Sequence, residues 1–153
     1  MSTDSEWQKL GKENPYFAVV TEDKYQKDAL TSSRREEFFE SGQEFVSNVV
    51  QTIRTRLDPS PKFARALDFG CGVGRLLIPF ARISDEAVGV DVSEGMLAEA
   101  RKNCEDRSVT NVSLVKSDDE LSLVSGKFDL IHSYIVFQHI PVHRGERIFL
   151  QLL

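Results

Sequence analysis

A short apolar strand that runs directly into three closely spaced glycines constrains the fold of this chain more than any other feature. The strand is predicted at residues 64–69, and Gly70, Gly72 and Gly74 follow it. Residues 75–83 then have a helical pattern. Glycines let the backbone approach a ligand without a Cβ in the way, and helix N-terminal amides favour an anionic group. Such a unit is typical of α/β sheets that bind ligands beyond the carboxyl ends of their strands.

Further strands and helices continue this pattern towards the C-terminus. Strands are predicted at 87–92, 112–116 and 128–134. A helix over 93–105 separates the first two of these strands, and Pro141 opens a last helix. Strands that alternate with helices indicate parallel pairing with right-handed crossovers. We therefore predict an α/β fold with helices on both faces of a mainly parallel sheet.

The N-terminal segment lacks this pattern. Residues 1 to about 30 are polar and have little periodicity, which predicts a partly ordered lead-in. Tyr16 and Phe17 are its only adjacent aromatic residues. We expect them to pack onto the domain.

An amphipathic helix is predicted after this lead-in. Ser33 and Glu36 have the spacing of a capping box, and apolar residues then recur at intervals of three and four until about Leu57. We therefore divide the chain into a lead-in with a cap helix over residues 1–60 and a ligand-binding domain over residues 61–153.

Composition and charge are those of one ordinary globular domain. The 153 residues are 41% hydrophobic and 28% charged, with a net charge of −5. The acidic balance argues against a nucleic-acid partner, since phosphate binding needs a basic face. Cys71 and Cys104 have no zinc-type spacing, so we predict no metal site, and the lack of a signal peptide predicts reduced thiols. Residues 1–10 lack a signal-peptide pattern and no membrane-length apolar stretch follows, which favours a cytoplasmic protein with no membrane partner.

Acidic residues stand at the ends of the predicted strands. Asp91 ends the second strand, where a carboxylate can accept hydrogen bonds from both hydroxyls of a ribose. Asp118 follows the third strand and could accept a hydrogen bond from the exocyclic amine of a purine. Together with the glycine turn, these positions indicate a ligand that contains adenosine.

The glycine spacing and one further carboxylate distinguish between two classes of such ligands. Gly70, Gly72 and Gly74 form GxGxG, whereas a dinucleotide cradle normally has GxGxxG. Asp68 stands two residues before the first glycine, where it would repel a pyrophosphate but would suit an ammonium group. The amides of the turn would then meet a carboxylate. S-adenosylmethionine carries both an ammonium and a carboxylate group.

Three stretches resemble motifs of the class I, Rossmann-like S-adenosylmethionine-dependent methyltransferases of the small-molecule type (types 11 and 12). Residues 67–75 resemble motif I, residues 88–93 with Met96 are similar to the ribose motif, and residues 128–141 resemble the fourth-strand motif. The resemblance covers residues 64–153. It implies a three-layer Rossmann-like sandwich, S-adenosylmethionine as cofactor, and in-line transfer of its methyl group to a small-molecule acceptor.

The resemblance also implies roles for individual residues. Asp68 would bind the methionine ammonium directly or through water, and Asp91 would hold the ribose. Met96 would pack on the adenine, and Asp118 would meet the adenine amine, with Asp119 as the competing candidate. The full set of predicted cofactor-binding residues is Asp68, Gly70, Cys71, Gly72, Gly74, Asp91, Val92, Met96, Asp118, Asp119, Ser133 and Tyr134.

The remaining roles concern the reactive end of the cofactor. Ser133 and Tyr134 would face the sulfonium, and the N-terminal helix with Tyr16 would resemble the variable cap that covers the cofactor. The sequence identifies no catalytic residue. His132 and His139 are the nearby candidates for a general base, which is needed only if the acceptor must lose a proton early.

The family's sheet has seven strands, and this sequence contains four of them. We therefore expect an incomplete fold, which would be a cloned fragment, a truncated gene product or a domain completed by another chain. A sheet that stops at its fourth strand exposes an edge, so we also expect a homodimer or aggregation through that edge. Activity of this chain alone stays open.

Two other classes of function remain open. The missing strands would also suit a non-catalytic binding or interaction domain that keeps the methyltransferase-like fold. An NAD-dependent oxidoreductase is the less favoured alternative, because the glycine spacing and Asp68 count against it.

Overall fold

The computed structural model describes residues 3–153 and contains one four-stranded sheet. All neighbouring strands are parallel, in the order β3-β2-β1-β4. The prediction of four strands in an α/β fold is confirmed, and the sheet is entirely parallel. The strands are β1 (Arg65–Phe69), β2 (Glu86–Asp91), β3 (Val112–Lys116) and β4 (Leu130–Ser133).

The described residues also form six α-helices. Their order along the chain is α1 (Thr3–Glu13), α2 (Pro15–Val19), α3 (Ser32–Arg56), α4 (Leu77–Ala81), α5 (Glu94–Asp106) and α6 (Val142–Leu152). Short 3-10 turns lie at Asp23–Tyr25 and Phe137–His139. Within residues 3–153, no helix combines the length and the apolar character that a membrane span requires.

The two faces of the sheet are covered by different helices. Alternate side chains of a strand point to opposite faces. Leu67 and Phe69 of β1 pack in one cluster with Ile148 of α6. Ala66, on the other face, packs with Val46 of α3 and with residues of α4 and its N-cap. The predicted three layers are therefore present, and β1 lies between β2 and β4 at the centre of the sheet.

The structure corrects the prediction for the N-terminal segment. Residues 3–13 form a regular helix, α1, where the sequence predicted a partly ordered lead-in. Its Gly11 lies against Ser93 and Met96 at the start of α5, and its Gln8 accepts a hydrogen bond of 2.8 Å from the Glu94 amide. Only two of the 11 residues of α1 are large and apolar, so its apolar pattern is too short to identify the helix from periodicity alone.

The predicted capping box of α3 is also wrong. The N-cap is Thr31, whose hydroxyl accepts a hydrogen bond from the Arg34 amide at 3.3 Å. The helix therefore begins before Ser33 and places that serine inside its first turn. The predicted end is confirmed, since Leu57 is the C-cap.

The fourth strand lies at an edge of the described sheet. Ile131 of β4 is 41% exposed, and Phe149 and Leu150 of α6 are more exposed still. This arrangement agrees with the predicted open edge after the fourth strand.

Candidate functional site

A cavity of about 700 Å³ lies at the carboxyl ends of the four strands. The glycine turn forms one wall, and residues that follow β2, β3 and β4 form others. Residues of α1, among them Trp7 and Gln8, cover it. The predicted site residues that line the cavity are Asp68, Gly70, Cys71, Gly72, Asp91, Val92, Met96, Asp118, Asp119 and Tyr134.

The turn after β1 has a conformation that favours glycine. Gly70, Gly72 and Gly74 have φ angles of +76°, +52° and +87°, a region that L side chains rarely adopt. The Gly70 amide donates to the Val90 carbonyl at 2.7 Å, which fastens the turn to β2. A Cβ at Gly70 would overlap the side chain of Val136. Gly74 shapes this turn without lining the cavity.

Asp91 organises the turn from the end of β2. Its two carboxylate oxygens accept hydrogen bonds from the Gly72 amide at 2.9 Å and the Ser93 amide at 2.8 Å. Burial raises the pKa of Asp91 to about 6, although these backbone amides act in the opposite direction. Each carboxylate oxygen can accept a second hydrogen bond. Asp91 therefore keeps acceptor capacity in the cavity.

Asp68 pairs with a histidine on the neighbouring strand. The register of β1 and β4 sets Asp68 opposite His132, and Asp68 Oδ1 lies 2.9 Å from His132 Nδ1. Asp68 lines the cavity, but His132 does not. The other candidate base, His139, does line it and makes an edge contact with Trp7.

The two acidic residues after β3 are already engaged in the protein. Asp118 accepts hydrogen bonds from the amides of Glu120 and Ser122 and from the Ser122 hydroxyl. Asp119 is bound by Arg144 and Arg147 of α6. Both residues line the cavity, and the hydrogen bonds they receive lower the pKa of each carboxyl.

Arg144 also connects α6 to the helix that covers the cavity. Its guanidinium binds Asp119 and, at 3.0 Å on both carboxylate oxygens, Asp4 of α1. This bidentate contact holds α1 over the site.

Ser133 and Tyr16 lie elsewhere than the resemblance implied. Ser133 is outside the lining of the cavity, and its side chain points to the face of the sheet opposite to that of His132. The Tyr16 hydroxyl lies 2.8 Å from Asn103 of α5, and its ring packs against Phe38 of α3. Tyr16 therefore fastens the N-terminal helices to the domain and does not contact the cavity.

Arg75 is a cavity residue that the sequence analysis missed. Its Nε donates to the Ser41 hydroxyl at 3.2 Å, and its guanidinium lies over the Phe38 ring. Burial lowers the pKa of Arg75. Among residues 3–153, no carboxylate lies within ion-pair distance of it, so its terminal nitrogens are available to an anionic group. Its place directly after the third glycine was a signal that could have identified it.

The two cysteines and Met96 are buried in the hydrophobic core. Cys71 and Cys104 are buried and free, and burial raises the pKa of the Cys71 thiol well above its ordinary value. The Met96 amide is capped by the Ser93 hydroxyl at 3.3 Å, and its side chain belongs to the core as well as to the cavity wall. In the described part of the chain, no group of three or more histidines, cysteines and acidic residues is placed to hold a metal ion.

A parallel sheet with a glycine turn after its central strand and a buried acid after the next defines a Rossmann-like nucleoside-binding domain. The sequence model of a methyltransferase domain family matches residues 66–153. The chain belongs to that family.

Curated relatives and solved structures agree with this family. Aklanonic acid methyltransferase DauC of Streptomyces sp. (strain C5) is 38% identical over 71 residues, which are 44% of this chain and 32% of that protein. The 23S rRNA (uracil(1939)-C(5))-methyltransferase RlmD of Vesicomyosocius okutanii is 32% identical over 80 residues, which are 52% of this chain and 17% of that protein. The matches thus span a third or less of these relatives.

A solved structure has the same fold over nearly the whole chain. Magnesium protoporphyrin IX methyltransferase (ChlM) of Synechocystis, solved with bound S-adenosylmethionine, superposes with a TM-score of 0.66. The superposition covers 99% of this chain and 71% of that one, at 22% identity. At this identity, the likeness supports the fold.

Proposed function

We propose that this chain binds S-adenosylmethionine and is part of a methyltransferase that acts on a small-molecule acceptor. The observation that carries the proposal is Asp91, a buried carboxylate that retains acceptor capacity beside a glycine turn in a cavity of about 700 Å³. A cavity of this size suits a ligand of cofactor dimensions.

The chemistry of the cavity matches the parts of this cofactor. Asp91 would accept hydrogen bonds from the ribose hydroxyls, and Asp68 would bind the methionine ammonium. Arg75 would bind the carboxylate, because its terminal nitrogens have no anionic partner among residues 3–153. Met96 would contact the adenine. Asp118 and Asp119 remain the candidates for the adenine amine, and each would use an acceptor position that its present partners leave free.

The protein's part in the reaction is to hold the reactants and exclude water. The bound cofactor supplies a methyl group already activated by its positive sulfur. The chain has to hold that group in line with the acceptor atom, and α1, which the Asp4–Arg144 contact holds at the cavity, would shield the bound cofactor from water. His139 lines the cavity and is the better-placed base for an acceptor that must lose a proton.

Ligand affinity should fall as the pH drops through about 6. Asp91 has a raised pKa of about 6, and only its ionised form accepts hydrogen bonds from both ribose hydroxyls. At pH 5 we expect the affinity for 5′-methylthioadenosine to be about tenfold lower than at pH 8. This ligand carries the ribose but no amino-acid group, so its binding reports on Asp91. An affinity that is constant from pH 5 to pH 8 would contradict this role of Asp91.

The acceptor class can be tested with cofactor labelled in its methyl group. We expect label to enter a pool of phenols, carboxylic acids and amines, and not ribosomal RNA, because the chain has a net charge of −5. Transfer to the RNA would overturn the small-molecule acceptor. A chain that binds the cofactor but labels neither pool would favour a non-catalytic binding domain.

The exposed apolar residues at β4 support the prediction of a homodimer through that edge. A measurement of molecular mass in solution should give twice the mass of one chain, and Ile131→Lys should reduce it to one. A monomeric wild-type protein would contradict the prediction. The division at residue 60 and the cytoplasmic location stay predictions.

A further inference from the structure

Asp68, which is buried, and His132, which is partly buried, form a pair between two adjacent strands. Asp68 is only 3% exposed, and its Oδ1 lies 2.9 Å from His132 Nδ1. An ionised carboxylate has no proton to donate, so the hydrogen of this bond belongs to Nδ1. The imidazole therefore donates to Asp68.

The Asp68–His132 hydrogen bond connects the cavity wall to a residue outside it. Asp68 lines the cavity and His132 does not. Among the described residues, His132 is the one hydrogen-bond partner of the Asp68 side chain. His132 binds one carboxylate oxygen of Asp68, so the other oxygen can accept a hydrogen bond from a ligand in the cavity.

The imidazole is itself held in place by aromatic residues. Its centroid lies 4.9 Å from that of Phe80 in α4 and 5.8 Å from that of Phe45 in α3. Phe45 also packs against Tyr134, which lines the cavity. The ring cannot turn away from Asp68 without losing these contacts, so the orientation of the carboxylate is fixed.

We propose that His132 is a positioning residue that orients Asp68 to bind the ammonium group of the cofactor. The proposal rests on the proposed function and gives the imidazole a task other than that of a general base. It requires His132 to be neutral, because an imidazolium would neutralise the carboxylate that the ammonium needs. The other charged groups that act on Asp68 are Arg75 and Asp91, and Cys71 and Tyr134 are the titratable neighbours of the site.

Two ligands separate this role from general support of the fold. S-adenosylhomocysteine carries the ammonium group, whereas 5′-methylthioadenosine has the same nucleoside and sulfur without the amino acid. We expect His132→Leu to lower the affinity for S-adenosylhomocysteine about tenfold or more. The affinity for 5′-methylthioadenosine should stay within about twofold of the wild-type value. His132→Asn, whose amide can donate to Asp68 from a similar position, should restore most of the affinity.

The outcomes distinguish this assignment from the proposed function. If the wild-type protein binds neither ligand, the proposed function fails and the assignment fails with it. If the wild-type protein binds both ligands and His132→Leu lowers both affinities equally, His132 supports the fold and the assignment alone is overturned. The positioning role would be established if His132→Leu lowers only the affinity for S-adenosylhomocysteine and His132→Asn restores it.

Discussion

Asp91→Ala is expected to weaken the binding of S-adenosylhomocysteine by about 100-fold or more. The carboxylate would accept two charge-assisted hydrogen bonds from the ribose, each worth about 1.5–3 kcal/mol. It also holds the amides of Gly72 and Ser93, which shape the turn around the ligand. Removal of one side chain thus eliminates the ribose contacts and loosens the turn. Calorimetric titration would measure the loss.

The loss of binding should not come from unfolding. The pKa of Asp91 in the folded protein, about 6, lies above its ordinary value of about 3.9, so the ionised carboxylate destabilises the fold. The Asp91 carboxyl makes its full contribution to the free energy of unfolding below about pH 4, and this contribution is lost as the pH rises through about 6. At neutral pH, alanine removes this unfavourable charge together with two hydrogen bonds. These effects oppose each other, so we expect a small change in melting temperature.

A matched carboxylate at the other end of the same strand is the control. Asp85 is exposed and directly precedes β2, away from the cavity. Asp85→Ala should leave the affinity within about twofold of the wild-type value. If the two substitutions have equal effects, or if Asp91→Ala lowers the affinity less than about threefold, Asp91 does not bind the ligand.

Gly42→Ala is expected to destabilise the protein by about 2 kcal/mol or more. Gly42 lies in the interior of α3, where alanine normally stabilises a helix by about 0.5–1 kcal/mol. Here, a Cβ would overlap the carbonyl oxygen of Arg75, a backbone atom that no rotamer change can move aside. The helix would have to withdraw from the glycine turn. A loss of this size lowers the melting temperature of a domain of this length by roughly 5 °C.

Gly145 provides the opposite expectation in another helix. It lies in α6, and a Cβ there would meet its nearest neighbour, Phe137 Cδ1, at an ordinary 3.6 Å. Gly145→Ala should therefore stabilise the protein by about 0.5–1 kcal/mol. Thermal unfolding of both variants tests the packing of α3 against the turn. If Gly42→Ala proves as stable as Gly145→Ala, the close contact between Gly42 and the Arg75 carbonyl is contradicted.

The central part of the fold could be predicted because its determinants are local. β1, the glycine turn and Asp91 lie in one continuous segment, and the apolar strands and glycines signal their own conformations. Side chains at the ends of parallel strands meet at one edge of the sheet. The sequence therefore placed Asp68 and Asp91 in one cavity without knowledge of long-range packing.

The features that escaped prediction depend on partners far away in the chain. Helix α1 is held by Gly11 against α5 and by Asp4 against Arg144, contacts that leave no periodic apolar signal. The engagement of Asp119 by Arg144 depends on where α6 packs. The Asp68–His132 bond arises from the register of two strands that are distant in sequence. None of these contacts could be read from spacing alone.

Calorimetric titration of the purified chain with S-adenosylhomocysteine, with NAD titrated in parallel, tests the central claim most directly. We predict saturable binding of S-adenosylhomocysteine at one site per chain and no binding of NAD, because Asp68 lines the cavity beside the glycine turn and would repel a pyrophosphate. Selective binding of NAD, or no binding of S-adenosylhomocysteine by a chain that melts cooperatively, would contradict the proposed cofactor site.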